Sequence, residues 1–159
     1  MIYDFIKIFS NQNESIVNQC NFIAHKYNKK NGGILEFDNL ASDSKYIICA
    51  LKNNKVIGFL CLKEYEAFPN SIYVELIATD KEYLKLGIAT DLINYSIDFG
   101  KKNKYKSIIA NVKKTNQQSH NLFIKLKFSL FNMKEEEYLS LGFSYEQILI
   151  NDAFVLNLI

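Results

Sequence analysis

Asp80-Lys81-Glu82-Tyr83-Leu84-Lys85-Leu86-Gly87-Ile88-Ala89-Thr90 is the stretch on which the reading of this chain rests. Before it, Ser71–Ala78 is an apolar run of strand character. After it, Ile88–Phe99 carries helical spacing. A strand that ends in a polar turn and passes through a glycine into a helix leaves the helix's first N–H groups without carbonyl partners. The helix dipole favours an anion at that end, so a phosphate-bearing ligand is the natural occupant.

Working outward, Ser107–Val112 reads as a second strand and Asn116–Leu126 as a second helix. Towards the N-terminus, Ile2–Phe9 reads as a strand. Asn11 or Asn13 caps a helix from Glu14 to Asn28, with Ile16, Val17, Cys20, Ile23 and Ala24 on one stripe. Asn31-Gly32-Gly33 stops that helix, and Ile34–Asp43 is a loop or short helix. Tyr46–Leu51 and Val56–Leu62 flank Lys52-Asn53-Asn54-Lys55, which is a hairpin pattern. Gly100 is expected to end the Ile88–Phe99 helix. Phe128–Met133 reads as a strand, Lys134–Leu141 as a short helix closed by Gly142, and Asp152–Ile159 as a terminal strand. This order predicts an α/β fold, a mixed central sheet with helices on both faces, in one domain over residues 1–159.

The bulk composition narrows the reading. Hydrophobic residues make up 48% and charged residues 23%, as in ordinary globular proteins. The net charge of +2 argues neither for nor against nucleic acid, and the charges are dispersed, so no basic groove is evident. All 19 basic residues are lysine, so no guanidinium fork is available and any phosphate must be held by backbone N–H groups and lysine charges. Cys20, Cys49 and Cys61 fit neither a disulfide framework nor a metal site; Cys49 and Cys61 lie in apolar runs and are expected in the core. The N-terminal residues lack a signal-peptide pattern and no apolar run reaches membrane-spanning length, so a reducing cytoplasm is expected.

Two blocks then bear a resemblance. Ile77-Ala78-Thr79-Asp80-Lys81-Glu82-Tyr83-Leu84-Lys85-Leu86-Gly87-Ile88-Ala89 resembles the acyl-CoA-binding motif of the GNAT N-acetyltransferase superfamily, in which Arg/Gln-x-x-Gly-x-Gly/Ala opens a helix after a strand. Asn116-x-x-Ser119-x-x-Leu122-Phe123-x-x-x-x-Phe128 resembles its second signature, Asn-x-x-Ala-x-x-Leu-Tyr-x-x-x-Gly-Phe. The resemblance implies acetyl-CoA as cofactor, bound by Ile77, Ala78, Thr79, Leu84, Lys85, Leu86, Gly87, Ile88, Ala89, Thr90, Asn116, Ser119 and Phe123. It further implies that the strand holding Ile77 and Thr79 splays from its neighbour, and that their backbone groups orient the pantetheine arm and thioester. The activity implied is acetyl transfer to a small-molecule or peptide primary amine by direct attack in a ternary complex. A homodimer is a family-level expectation.

Glu75, four residues before Thr79, stands where a number of these enzymes place a general base, and a half-buried carboxylate there would accept a proton near neutrality. Glu36, Phe37 and Tyr73 are the expected acceptor-side residues. The chain departs from the pattern at Leu84, in place of Arg/Gln; at Lys85, where a glycine often follows; and at Phe123, in place of a tyrosine that protonates the departing thiolate. Tyr138 is the candidate replacement acid, against a surface or lid aromatic. His120 and His25 are expected to be surface and helix-end residues outside the mechanism. The alternative to an enzyme is an acyl-CoA-binding or regulatory module of the same fold that has lost turnover.

Overall fold

The computed structural model describes residues 2–30 and 44–159. The elements are β1 (Phe5–Ser10), α1 (Glu14–Lys30), β2 (Tyr46–Lys52), β3 (Lys55–Lys63), β4 (Ser71–Thr79), a 3₁₀ turn (Lys81–Tyr83), α2 (Ile88–Lys102) and β5 (Ser107–Lys113). They continue through α3 (Gln117–Lys125), β6 (Ser129–Phe131), α4 (Glu135–Ser140), α5 (Tyr145–Ile150) and β7 (Asn151–Asn157). The strands run in the order β1-β2-β3-β4-β5-β7-β6, with β4 parallel to β5 and β1-β2, β2-β3, β5-β7 and β6-β7 antiparallel, so the α/β class with a mixed sheet is as expected. The readings placed on Asn31–Gly33 and Ile34–Asp43 lie outside the described residues. None of the described helices is long and apolar enough to cross a membrane.

Contacts divide the chain into two compact units, Met1–Lys63 with Glu75–Asp98, and Glu64–Val74 with Phe99–Ile159. In the first, Asn13 caps α1: its Oδ1 accepts from the Ile16 N–H at 3.2 Å. The stripe read from the sequence (Ile16, Val17, Cys20, Ile23, Ala24) packs with Ile47, Cys49, Leu51, Val56, Phe59, Cys61 and Ala78 in one core. The β2–β3 turn puts Asn53 (φ 51) and Asn54 (φ 63) in left-handed backbone, the two-residue turn whose twist matches the flanking strands. The ladder slips beyond it. Ala50 faces Gly58 but Leu51 faces Val56, so Ile57 is an inserted bulge residue. Its carbonyl turns to accept the Asp80 N–H at 2.9 Å, which fixes where β4 ends.

All three cysteines are buried and free. Cys20 and Cys49 sulfurs lie 3.8 Å apart, and burial, partly offset by a Ser44 hydrogen bond, pushes the Cys61 thiol up to about 12. We expect a thiol-specific reagent at pH 8 to label no cysteine in the folded protein, and all three after denaturation.

The second unit is built on aromatic rings. Tyr73, Ile109, Met133, Tyr138 and Ala153 are its buried centre, with Tyr65, Phe68, Phe131 and Phe143 against them. The β4–β5 ladder covers only Ser71–Val74 against Ser107–Ala110, while each strand runs on beyond it. Here the sequence reading needs two corrections. Gly100 does not end α2; the helix continues to Lys102, and a Cβ at Gly100 would stand 2.7 Å from Leu158, so close packing accounts for the glycine. Tyr145–Ile150 is a helix absent from the expected order. Its start carries a capping box: Ser144 Oγ accepts from the Gln147 N–H at 3.2 Å and Gln147 Oε1 accepts from the Ser144 N–H at 2.8 Å.

Three helix ends in this unit share the same pair of hydrogen bonds. At α2, the Tyr105 N–H reaches the Gly100 carbonyl and the Lys104 N–H the Lys101 carbonyl. At α3, Phe128 reaches Phe123 and Lys127 reaches Ile124. At α4, Phe143 reaches Tyr138 and Gly142 reaches Leu139. The pivot residue is left-handed each time: Gly142 at φ 89 is the expected glycine, but Lys104 (φ 61) and Lys127 (φ 71) are lysines. Replacing Lys104 or Lys127 by glycine is expected to raise unfolding stability by about 0.5–1 kcal/mol each, measured by urea titration, because left-handed backbone strains a side chain bearing a Cβ.

Candidate functional site

The turn after β4 is held from its start. Asp80 caps the 3₁₀ turn, its Oδ1 accepting from the Glu82 N–H at 3.1 Å, and the Tyr83 N–H returns to the Asp80 carbonyl at 2.9 Å. Beyond Tyr83 the backbone passes through a turn at Leu84 and Lys85 and has no regular hydrogen-bond ladder. Among the described residues, no N–H from Leu84 to Thr90 donates to a carbonyl. The Asp91 N–H is the first in α2 to find one, that of Gly87 at 3.1 Å. Lys85 (φ 62) and Gly87 (φ 85) are both left-handed, so the chain turns sharply here with its N–H groups unbonded, as an anion at a helix start requires. The α2 dipole adds positive potential at the same end.

This stretch fits a phosphate group. A Cβ built on Gly87 meets nothing within 4 Å, so that side of the turn is open to a ligand. Leu84 and Leu86 are 41% and 47% exposed and form an apolar rim, with Lys85 exposed between them. Ala89 and Thr90 are half-buried in the first turn.

Gly58 is the residue that sequence reasoning missed. A Cβ there would lie 2.8 Å from Ile88 Cγ2 and 3.5 Å from both the Ala78 carbonyl and Thr79 Oγ1. The first residue of α2, itself buried, therefore rests directly on β3 where a side chain is absent. A glycine in a strand is a recognised sign of close approach, but nothing in sequence says what approaches.

On β4, Ala78 is buried in the core of the first unit, and Leu76 packs partly against that core. Glu75, Ile77 and Thr79 are half-buried. The Glu75 carboxylate lies close enough to the Cys61 thiol for its charge to help raise that thiol's pKa, after the larger effect of burial.

In the second unit, Asn116 caps α3: its Oδ1 accepts from the Ser119 N–H at 3.2 Å, and among the described residues its NH₂ donates to nothing. Ser119 is half-buried. Phe123 is buried, stacked on Phe154 at 5.7 Å and edge-on to Phe128 at 5.0 Å, so the ring at the signature's tyrosine position is a core element. Tyr73 is also buried; its hydroxyl takes a hydrogen bond from Asn111 Nδ2 at 2.5 Å and its ring meets Tyr65 edge-on. Glu36 and Phe37 lie outside the described residues.

Two expectations are corrected. Tyr138 is neither a surface nor a lid aromatic. It is a buried core ring against Phe143, and desolvation, then the charge of Asp152, pushes its phenol above the usual value. His120 is not a surface residue: it is half-buried, 5.0 Å from the Phe154 ring centre, with Nε2 3.5 Å from an Asp152 oxygen. No group of His, Cys, Asp and Glu suited to a metal ion occurs among the described residues.

The geometry at Lys85 and Gly58 predicts opposite stability changes in urea denaturation. Lys85→Gly should gain about 0.5–1 kcal/mol by relieving left-handed strain. Gly58→Ala should lose about 1–3 kcal/mol, because the branched Ile88 has little freedom to move aside.

A family model described as "Acetyltransferase (GNAT) family" matches residues 3–128. No curated protein matches in sequence. Among solved structures, the chain is similar to GCN5 of Tetrahymena, at 19% identity and a TM-score of 0.76, covering 98% of this chain and 97% of that one. It is similar to an acetyltransferase of the GNAT family from Staphylococcus aureus Mu50, at 16% identity and a TM-score of 0.73, covering 98% and 100%. It is also similar to an acetyltransferase of Bacillus anthracis str. Ames solved in complex with acetyl coenzyme A, at 25% identity and a TM-score of 0.57, covering 70% of this chain and 62% of that one.

Proposed function

The chain belongs to the GNAT acetyltransferase family, whose cofactor is acetyl-CoA, and from that premise we propose that it transfers an acetyl group to a primary amine by direct attack in a ternary complex. The observation that carries this reading is the run of unbonded N–H groups from Leu84 to Thr90 at the start of α2, with left-handed backbone at Lys85 and Gly87. Those N–H groups would hold the cofactor's diphosphate, Lys85 would add charge, and Gly87 would leave room for close approach. Acetyl-CoA, when bound, supplies the acetyl group in activated form as a thioester.

The chain's own residues would do the rest. Backbone groups of Ile77 and Thr79, on either side of Ala78, would align the arm and polarise the carbonyl. Glu75 would take the proton from the attacking amine, directly or through one water. The resemblance of the second signature supports Asn116 and Ser119 as further polar contacts to the cofactor, with Phe123 as packing. Phe123 has no proton to give. Tyr138 holds its own at neutral pH, and Tyr138→Phe tests it as acid. Three buried free thiols suit a reducing, cytoplasmic setting.

The reading is tested by thermal unfolding with acetyl-CoA followed by turnover on a panel of amines. At 100 times its Kd the cofactor should stabilise the fold by about 2.7 kcal/mol. Glu75→Gln should then lower kcat by roughly 10²–10⁴-fold with an unchanged Kd for CoA. Tight CoA binding with no transfer to any amine, and no effect of Glu75→Gln, would instead make the chain an acyl-CoA-binding module.

A further inference from the structure

The first turn of α2 contains a carboxylate, Asp91, as well as the open N–H groups. A negative side chain there is attracted to the same partial positive charge that would hold a ligand's phosphates, so it is a competitor built into the site. Its hydrogen-bond partner lies elsewhere. The Tyr3 hydroxyl donates to Asp91 Oδ2 at 2.9 Å, and among the described residues no N–H from Leu84 to Thr90 donates to this carboxylate.

Tyr3 is itself held in place. The N–H of the next residue, Asp4, donates to the Leu51 carbonyl at 2.7 Å, and Asp4 Oδ2 accepts from the Asn53 N–H at 2.7 Å. The residues ahead of β1 thus form a strap running from the β2–β3 turn to the first turn of α2, all within the first unit. Burial, followed by the hydrogen bond to Asp91 and its charge, pushes the Tyr3 phenol up, so the hydroxyl remains a donor at every physiological pH.

We propose that Tyr3 is a positioning residue for diphosphate binding: its hydroxyl engages the Asp91 carboxylate and keeps it from competing for the open end of α2. This rests on the reading of Leu84–Thr90 as the diphosphate site. Tyr3 touches neither ligand nor reacting atoms and acts wholly through Asp91. Without the hydroxyl, the carboxylate loses that donor and is free to turn towards the N–H groups the ligand needs.

The test is calorimetric binding of CoA, and separately of inorganic pyrophosphate, to the wild type, Tyr3→Phe, Asp91→Asn and the double variant. Tyr3→Phe is expected to weaken both ligands about 5-fold, a size typical of charge effects at a helix end. In turnover the loss should fall on the KM for acetyl-CoA and not on kcat. Asp91→Asn should bind at least as tightly as wild type, and Tyr3→Phe should cost nothing further in that background. A wild-type Kd in Tyr3→Phe would overturn the proposal while leaving the diphosphate site standing. So would an equal loss with and without Asp91, because that would make the strap a purely structural brace. A wild type that binds neither CoA nor pyrophosphate would remove the diphosphate reading itself, and the role of Tyr3 with it.

Discussion

Ile88, the first residue of α2, lies over the bare backbone of Gly58. A Cβ on Gly58 would come within 2.8 Å of its methyl group, and this contact sets how closely the helix start approaches β3. Much of the first unit's architecture converges there. The bulge at Ile57 is the neighbouring residue, and its carbonyl receives the Asp80 N–H, so the strand that precedes the turn and the helix that follows it are both referenced to one short piece of β3. Between those anchors, among the described residues, no N–H from Leu84 to Gly87 donates to a backbone carbonyl. The conformation of that stretch comes from its ends and from two left-handed residues. A rigid frame around an unsatisfied turn is what a preorganised anion site requires, since ordering costs met in folding are not met again on binding.

The absence of arginine gives this site a particular character. Phosphate recognition elsewhere often uses a guanidinium fork, but a phosphate bound to this chain would be held by backbone dipoles, with lysines as point charges. Lysine also occupies turn positions that usually fall to glycine: Lys85, Lys104 and Lys127 all have positive φ. Two of them, Lys85 and Lys127, stand where the family's signatures place glycine. At both positions left-handed backbone falls on a residue that carries a Cβ, which locates strain at the turn before α2 and at the end of α3.

Much of the fold was legible because its signals are local. The Asn53-Asn54 turn, the α1 stripe, the Asn116 cap and the glycine at 142 each act through neighbours in sequence, and the structure carries all of them. The capping box at Ser144 and Gln147 was equally local and would have revealed α5 had Ser-x-x-Gln been weighed against the strand propensity that follows. Gly100 misled because glycine signals both a helix end and a close contact, and only the position of Leu158 distinguishes them. His120 and Tyr138 misled for a related reason: whether a polar aromatic is covered depends on elements far away in sequence, here Phe154 and Phe143.

By itself the sequence determined the α/β class, the two signatures and the turn at Gly87, because periodicity, capping and backbone preference are written over a few consecutive residues. Tertiary structure decided which groups constrain that turn. Tyr3 and Asp91 are 88 residues apart and Gly58 and Ile88 are 30 apart, yet one pair shares a hydrogen bond and the other leaves no room for a methyl group. No local rule can assign such partners, since neither a hydroxyl nor a glycine specifies what will be brought against it. Only the folding of β1, β3 and the start of α2 into one compact unit does so.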